Sequence, residues 1–283
     1  MKKVMLRELS LGRAPSPDAR GRASASPDGR GYWERRVAAS YAMIRGIFFD
    51  AAGTLFEARE PVGRTYTRLA REFGVEASEE AVAAGFRRAF GDAPGLAFGP
   101  GHPASELRRM EREWWRRRVA ETFAGIGTFA DFGAYFDTLF DYFGDSRHWV
   151  ADDEAAGMLL RLKDSGIKLG VISNFDYRLY RILDGLDLTR HFESITISSE
   201  AGYAKPRREV FDVALSSAGL NAREAMHIGD SEHLDFAPAG DAGMAAVLID
   251  RERPLPAPVV TGRRARISSL ATVIEVAREF ELA

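Results

Sequence analysis

Several apolar runs of the chain are followed by polar residues whose side chains could take part in one chemical reaction. One apolar run ends in Asp50, and a later run is followed by Ser173 and Asn174. Lys205 stands in a loop further on, and another run ends in a glycine followed by Asp230. Aspartate carboxylates bind Mg²⁺ and can act as nucleophiles. Lysine, hydroxyl and amide groups bind phosphoryl oxygens. The order of these residues therefore predicts phosphoryl chemistry.

The segment after Asp50 consists of Ala51, Ala52, Gly53 and Thr54. Small residues and a glycine let the backbone come close to a ligand. In isolation, an aspartate in this pattern is more often a turn residue or a strand cap. The polar residues further along the chain, most of which also follow apolar runs, favour a reactive role for Asp50.

Composition bounds the class of protein. The 283 residues suggest one large domain or two modest ones, and 46% hydrophobic residues suffice for a buried core. A net charge of −2 gives no basic field for nucleic acid. Cysteine is absent, which excludes disulfides and thiolate chemistry. No apolar run reaches the roughly 18 residues of a membrane span, and no secretory signal is evident. We therefore predict a cytoplasmic protein that binds neither nucleic acid nor membrane.

The chain divides into three compositional regions. Residues 1–42 are rich in Gly, Pro, Ser and Arg without apolar periodicity, which predicts a disordered extension. Met43 stands just before the first strand, and our hypothesis is that it is the natural start. Residues 59–149 show helical periodicity and are predicted to form a cap. Residues 43–58 plus 150–283 are predicted to form the core.

The alternation of predicted strands and helices sets the fold class. Strands are predicted at 167–172, 194–198, 225–228 and 245–249, in addition to the run before Asp50. Helices are predicted at 61–73, 78–90, 105–123 and 128–143, after residue 152, at 208–218 and at 267–280. This rhythm predicts an α/β fold, a Rossmann-like doubly wound parallel sheet with an inserted helical-bundle cap. The carboxyl ends of parallel strands meet at one edge, where the polar groups would converge.

With these motifs in that order, the sequence resembles the haloacid dehalogenase-like hydrolase superfamily, in its subgroup with a helical cap. The resemblance covers residues 43 to about 250. It implies that Asp50 is the nucleophile and forms an aspartyl-phosphate. It also implies that Thr54 and Ser173, with Asn174 beside them, bind the nucleophile or the phosphoryl oxygens. Lys205 would neutralise charge between the nucleophile and the phosphate.

The same resemblance implies a Mg²⁺ site and a substrate class. Asp50 and Asp230 would bind the metal, with Asp235 as a further acid and the backbone carbonyl of Ala52 as a further ligand. The substrate would be a small phosphorylated metabolite. The sequence leaves its identity and the oligomeric state open.

The sequence departs from the family pattern at Ala52. Phosphatases of this family usually carry a second aspartate there as general acid and base, whose loss costs on the order of 10²–10⁴ in rate. His102, in the glycine-rich loop of the cap, is a candidate for contacting the substrate or supplying the missing proton. A module that binds phosphate with weak turnover is an alternative on the same ground.

Two other chemistries of the family also lack that aspartate. Phosphonoacetaldehyde hydrolases need a cap lysine, and residues 57–162 contain none. The 2-haloacid dehalogenases have a first motif very similar to residues 50–55, and their nucleophile is the aspartate at the position of Asp50. They place a tyrosine where this chain has Phe211. They also lack the Gly-Asp pair, with its acidic side chain, that this chain has at Gly229 and Asp230. Dehalogenation therefore ranks second.

Overall fold

The computed structural model describes residues 43–91 and 93–282 of the chain. The predicted disordered extension, residues 1–42, lies outside the described residues. Within the described part, no helix combines the length and the apolar character needed to cross a membrane.

The strands of the described residues form two sheets. In chain order they are β1 (Gly46–Phe49), β2 (Phe56–Ala58), β3 (Trp149–Ala151), β4 (Lys168–Ser173), β5 (Ser194–Ile197), β6 (Ala225–Gly229), β7 (Ala245–Ile249), β8 (Val259–Thr261) and β9 (Arg264–Ile267). The larger sheet has the order β5-β4-β1-β6-β7-β9-β8, and the smaller one pairs β2 with β3. Neighbours in the larger sheet are parallel except β8 and β9. The predicted α/β class and the doubly wound parallel sheet are confirmed.

The helices of the described residues connect these strands. They are α1 (Val62–Glu72), α2 (Glu79–Gly91), α3 (Ala104–Thr122), α4 (Phe132–Tyr142), α5 (Ala155–Asp164), α6 (Arg178–Gly185), α7 (Ser198–Ala201), α8 (Arg208–Ala218), α9 (Ala237–Asp241) and α10 (Val273–Leu282). A π-helical turn, Glu232–Phe236, follows β6.

Strand β1 lies in the middle of the large sheet and is buried along its length. Its side chains alternate between two apolar clusters, as the period of a strand requires. Ile47 and Phe49 belong to one cluster, which also contains Leu159 of α5. Phe48 belongs to the other, which contains Phe211 of α8. Because helices cover both faces, a continuous apolar run is the pattern expected for this strand.

Helices α1 to α4, which we call the helical unit, lie in the chain between β2 and β3. Aromatic side chains pack at its centre: Tyr135 is buried, stacks on Phe129 at 4.3 Å, and donates its hydroxyl to Tyr66 O at 3.2 Å. The two connections to the unit pair as antiparallel strands, with residue 56 opposite residue 151. The boundaries predicted at residues 58/59 and 149/150 coincide with this ribbon, and the division into core and cap stays a prediction.

Two element boundaries differ from the sequence prediction. Helix α4 begins at Phe132 rather than 128, because the Asp131 carboxylate accepts a hydrogen bond from Ala134 N at 2.9 Å and caps the helix there. The terminal helix begins at Val273 rather than 267. Residues 264–267 instead form β9, with Ala265 and Ile267 buried, and pair with β7. Such a short strand depends on a distant partner and carries little local signal.

Candidate active site

The carboxyl ends of β1 and β6 bring acidic side chains together. Asp50 directly follows β1, and its backbone N–H donates to Ile228 O of β6 at 2.8 Å. Asp230 directly follows β6. Carboxylate oxygens of Asp50, Asp230 and Asp235 lie within 4.8 Å of one another, and all three residues are buried. The predicted convergence at one edge of the sheet is therefore observed.

The turn that follows Asp50 in the chain carries a hydroxyl group, that of Thr54. Gly53 has a φ of 94°, a left-handed conformation that favours glycine. The backbone N–H groups of Thr54 and Leu55 donate to Ala51 O and close the turn. Thr54 is buried, and its Oγ1 has no hydrogen-bond partner. A buried hydroxyl without a partner is costly, so this one is available to a ligand.

Lys205 connects two of the acids. Its Nζ donates to Asp50 Oδ1 at 2.8 Å, to Asp235 Oδ1 at 2.6 Å and to Ile172 O at 2.9 Å. These three bonds use all three donors of the ammonium group. Burial alone would lower the pKa of Lys205, but the Asp235 and Asp50 carboxylates raise it above its usual value. The lysine therefore stays charged between them.

Asn174 holds the backbone that carries this lysine. Its Nδ2 donates to Lys205 O at 2.9 Å, and its Oδ1 accepts from Lys205 N at 2.8 Å. This reciprocal pair fixes the loop after β5 against the end of β4. Ser173, the last residue of β4, is buried and its Oγ has no hydrogen-bond partner. Ser173 thus resembles Thr54 as an available hydroxyl, whereas Asn174 mainly positions Lys205.

Asp235 bends back over the end of β6. Its Oδ1 also accepts from His227 Nε2 at 2.9 Å, in the tautomer that protonates Nε2, and its Oδ2 accepts from Ser231 N at 3.1 Å. A Cβ at Gly229 would lie 2.2 Å from the Asp235 Cγ, so glycine is required at position 229. With the bond from Lys205, both acceptor positions of Oδ1 are filled, and Oδ2 keeps one.

The contact between His227 and Asp235 was not predicted from the sequence. His227 lies within the buried strand β6, and Phe211 packs edge-on against its ring at 5.4 Å. Burial lowers the pKa of His227, which keeps the imidazole neutral. Burial also opposes ionisation of Asp235, but the charge of Lys205 and the hydrogen bond from His227 outweigh it and hold the pKa of Asp235 low. A polar residue inside an otherwise apolar strand was the available signal.

Comparison with known proteins decides the family. The model for haloacid dehalogenase-like hydrolases matches residues 44–243, more than half of the chain. The chain belongs to the haloacid dehalogenase-like hydrolases. Haloacid dehalogenase-like hydrolase domain-containing protein 3 of Homo sapiens is 34% identical over 209 residues, which are 73% of this chain and 82% of that protein.

Two further comparisons extend this result. Glyceraldehyde 3-phosphate phosphatase of Methanopyrus kandleri is 28% identical over 218 residues, which cover 74% of this hydrolase and 85% of that protein. The crystal structure of the hydrolase YfnB of Bacillus subtilis, bound to magnesium, matches with a TM-score of 0.64 at 16% identity. It covers 83% of this chain and 99% of that chain. At that identity the likeness shows the shared fold.

The acid cluster of this hydrolase fits the metal that its family implies. Mg²⁺ prefers hard oxygen ligands and few protein carboxylates. Asp50 and Asp230 offer such oxygens, and Asp235 offers the remaining acceptor position of Oδ2. Ala52 is buried in the turn, and its methyl side chain carries no acid. Ligation by its backbone carbonyl stays a prediction.

His102 has local partners for both ring nitrogens. Its Nε2 lies 2.9 Å from Phe98 O, and its Nδ1 lies 3.6 Å from a carboxylate oxygen of Glu106. It is absent from the described residues that line the cavity beside Lys205. A substrate contact by His102 stays a prediction, and these contacts give it a structural role in the loop before α3.

A cavity of about 160 Å³ adjoins Lys205 and is lined by residues of both the core and the helical unit of the hydrolase. The described residues that line it are Phe90, Ala93, Pro94, Gly95, Leu96, Trp114, Trp115, Asn174, Lys205, Pro206 and Leu234. Asn174 and Lys205 connect this cavity to the polar cluster. The cavity is therefore positioned to hold the part of a substrate that lies beyond its reacting group.

Asp176 joins the core to the helical unit near this cavity. Its Oδ2 accepts from Trp115 Nε1 of α3 at 2.6 Å and from Arg178 at 2.7 Å. Arg178 in turn donates to Phe140 O of α4 at 2.9 Å. All of these side chains are buried, so the network fixes α3 and α4 against the loop after β4. This network was not predicted from the sequence, because Trp115 and Phe140 are far from Asp176 and Arg178 in the chain.

Proposed function

We propose that this hydrolase is a Mg²⁺-dependent phosphatase that acts on a small phosphomonoester through an aspartyl-phosphate at Asp50. The observation that carries the proposal is the bond of 2.8 Å between Asp50 Oδ1 and the buried ammonium of Lys205. The turn after β1 and the end of β4 also carry the buried hydroxyls of Thr54 and Ser173, which have no hydrogen-bond partner. A fixed cation and free hydroxyl donors suit the dispersed negative charge of a phosphoryl group in transfer.

The residues of the chain have separate roles in this proposal. Lys205 orients Asp50, and a carboxylate oxygen of Asp50 forms a bond to phosphorus. The ester P–O bond breaks, the electron pair stays on the alcohol oxygen, and that oxygen takes up a proton. A water molecule then attacks phosphorus, releases inorganic phosphate and regenerates Asp50. The hydroxyls of Thr54 and Ser173 donate to the phosphoryl oxygens, and bound Mg²⁺ supplies further charge neutralisation.

The proton for the alcohol is the weak point of this site. Ala52 has no acidic group where phosphatases of the family place their general acid. Alcohols are poor leaving groups when they depart without a proton, and the loss of such an acid costs on the order of 10²–10⁴ in rate. We therefore expect slow turnover and a strong dependence on the acidity of the leaving alcohol.

A relative supports phosphate ester chemistry. The similar protein from Methanopyrus kandleri is named as a phosphatase of glyceraldehyde 3-phosphate, a small phosphomonoester. We propose the broader class for this hydrolase, with a small phosphorylated metabolite as its partner and a cytoplasmic location.

Dehalogenation is the second candidate, favoured by the first motif, residues 50–55, and by the absence of an acid at Ala52. The position at which 2-haloacid dehalogenases place a tyrosine holds Phe211. Its ring is buried against His227 and offers no hydroxyl. The acid cluster of three carboxylates also favours metal-dependent chemistry over dehalogenation.

A direct assay separates these functions. We would measure phosphate release from a panel of phosphomonoesters with Mg²⁺, for the wild type and for Asp50→Asn. Phosphatase activity predicts turnover that EDTA abolishes and that the substitution reduces to background. Chloride release from 2-chloropropionate without metal would establish the dehalogenase instead. Phosphate binding without turnover would establish the binding module.

A further inference from the structure

The cavity beside Lys205 has an aromatic wall. Trp114 and Trp115 of α3 lie edge-to-face at 5.0 Å, and Phe90 of α2 packs against them at 5.9 Å and 5.6 Å. All three rings line the cavity. Aromatic surfaces of this kind bind apolar or planar groups through burial and offset or edge contacts.

The polar atoms of this wall are already engaged elsewhere. The indole N–H of Trp114 donates to Pro94 O at 3.2 Å, and that of Trp115 donates to Asp176 Oδ2 at 2.6 Å. The two tryptophans therefore present carbon surface to the cavity. A substrate hydroxyl group that is buried against these two rings would lose its hydrogen bonds to water and find no partner in them, which is costly.

Among the described residues that line the cavity, no cation besides Lys205 could balance a second acidic group of a substrate. Lys205 is the one ionisable residue among the described residues that line it. Its three donors are occupied by Asp50, Asp235 and Ile172 O. A second carboxylate or phosphate on the substrate would be buried without a counter-charge, so the cavity disfavours it.

The size and rigidity of the cavity fit one ring. An apolar protein cavity of about 150 Å³ holds benzene, and this cavity measures about 160 Å³. Its loop wall is fixed to the core: Leu96 O accepts from Ser198 Oγ at 2.6 Å. Gly95 lies so close to Ala204 that a Cβ there would be 2.7 Å from the Ala204 Cβ. A preformed wall binds without an ordering cost.

We propose that this cavity selects phosphomonoesters whose leaving group is neutral and apolar, of the size of a single ring, and rejects leaving groups that are polyols or carry a second anion. This inference rests on the proposed phosphatase function and specifies its substrate class. Trp114 and Phe90 are the specificity-determining residues, because their rings face the cavity and neither takes part in the acid cluster.

The test compares esters of alcohols, so that leaving-group acidity differs little between them. We would measure kcat/KM with Mg²⁺ for benzyl phosphate, glycerol 3-phosphate and 3-phosphoglycerate. Burial of one ring is expected to raise kcat/KM for benzyl phosphate about 10- to 100-fold over glycerol 3-phosphate. The value for 3-phosphoglycerate should be lower still. Equal values, or a preference for either polar ester, would overturn the inference.

Variants connect the preference to the wall. Trp114→Ala should reduce the ratio of benzyl to glycerol ester about tenfold, and Trp114→Phe should restore most of it. Phe132→Ala is the matched control, since Phe132 is a half-buried aromatic of the helical unit that stacks on Phe136 and does not line the cavity. A ratio that changes as much in Phe132→Ala as in Trp114→Ala would contradict the assignment.

A binding measurement separates this inference from the proposed function. Calorimetry would compare benzylphosphonate with methylphosphonate, neither of which is hydrolysed. A preference of about tenfold or more for benzylphosphonate supports the apolar cavity, even when no ester is turned over and the phosphatase proposal fails. Equal binding of the two phosphonates overturns the inference, whatever the turnover of the esters.

Discussion

Lys205 is a single buried cation shared by two buried carboxylates, Asp50 and Asp235. Removing one partner of a buried ion pair leaves the other charges uncompensated, which is more costly than the loss of a surface pair. His227 adds a neutral donor to Asp235 and leaves the charge balance unchanged. At the residue scale, the candidate site therefore depends on one ammonium group for both stability and chemistry.

Replacing that lysine tests both roles. Lys205→Met keeps the length of the side chain and removes its charge, so Asp50 loses its orienting partner. We expect turnover to fall at least about 100-fold, and the free energy of unfolding in urea to fall by about 3–5 kcal/mol. Lys163→Met is the control, because Lys163 is exposed and donates to the backbone oxygen of Arg190. Wild-type turnover in Lys205→Met would exclude the proposed role.

Ala52 tests the missing acid. Ala52→Asp places a carboxyl where phosphatases of the family carry their general acid, so protonation of the leaving alcohol no longer depends on solvent. We expect kcat for alkyl phosphates to rise about 10-fold or more, with a smaller gain for 4-nitrophenyl phosphate, whose leaving group needs no proton. No gain would indicate that another group already supplies the proton, and equal gains for both substrates would show that the new carboxyl acts on a step other than protonation of the leaving group.

At the scale of elements, Arg251 fixes the turn after β1. It follows β7 and donates to Gly53 O at 3.0 Å, to Thr54 O at 2.9 Å and to Asp152 Oδ2 at 2.5 Å. Residue 152 follows β3, so one guanidinium connects the first motif, the exit of β7 and the ribbon that leads to the helical unit. A planar group with five donors is suited to this task, and a lysine is not.

Removing the hydrogen bonds of Arg251 should lower the rate of the chemical step more than it weakens substrate binding. In Arg251→Met the carbonyls of residues 53 and 54 lose their donor, and the turn that carries Thr54 after Asp50 is no longer held in place. We expect kcat to fall about tenfold with KM within about twofold, because misplacement acts mainly on the reacting geometry. Arg253→Met is the matched control, since Arg253 is exposed nearby. A change confined to KM would assign Arg251 to substrate binding instead.

At the scale of the whole molecule, the buried carboxyl group of Glu111 lies where the helical unit meets the core. The pKa of Glu111 of α3 is raised to about 7, mainly by burial and also by the nearby carboxylates of Asp176 and Glu200. Glu111 is buried at the face where α3 meets the core. Its ionisation therefore opposes the contact between the two parts.

The sign of the pH dependence follows from this raised pKa. Between about 4.5, the ordinary value, and about 7, the folded protein keeps a proton that the unfolded chain has released. Stability from this residue is thus present at low pH and is lost as pH rises to 7. The difference in unfolding free energy between wild type and Glu111→Gln should change by on the order of 1–2 kcal/mol from pH 5 to pH 8, in favour of the variant. The exposed Glu113→Gln is the control, and a pH-independent difference would contradict the assignment.

The sequence by itself determined the parallel character of the sheet, five of its seven strands and the convergence of Asp50, Lys205 and Asp230 at one edge. Those features follow from local apolar runs and from the rule that parallel strands end at one edge. It also predicted the four helices between β2 and β3 to within a few residues. It placed the terminal helix too early, because β9 forms only through pairing with β7.

Only the tertiary structure decided what surrounds the acids. The contact of His227 with Asp235, the bond from Trp115 to Asp176 and the clamp of Arg251 leave no periodic pattern in the chain. The last two join residues far apart in sequence, and all three depend on how strand ends, turns and helices meet in space. The apolar character of the cavity was likewise invisible, because it depends on which direction two indole N–H groups point.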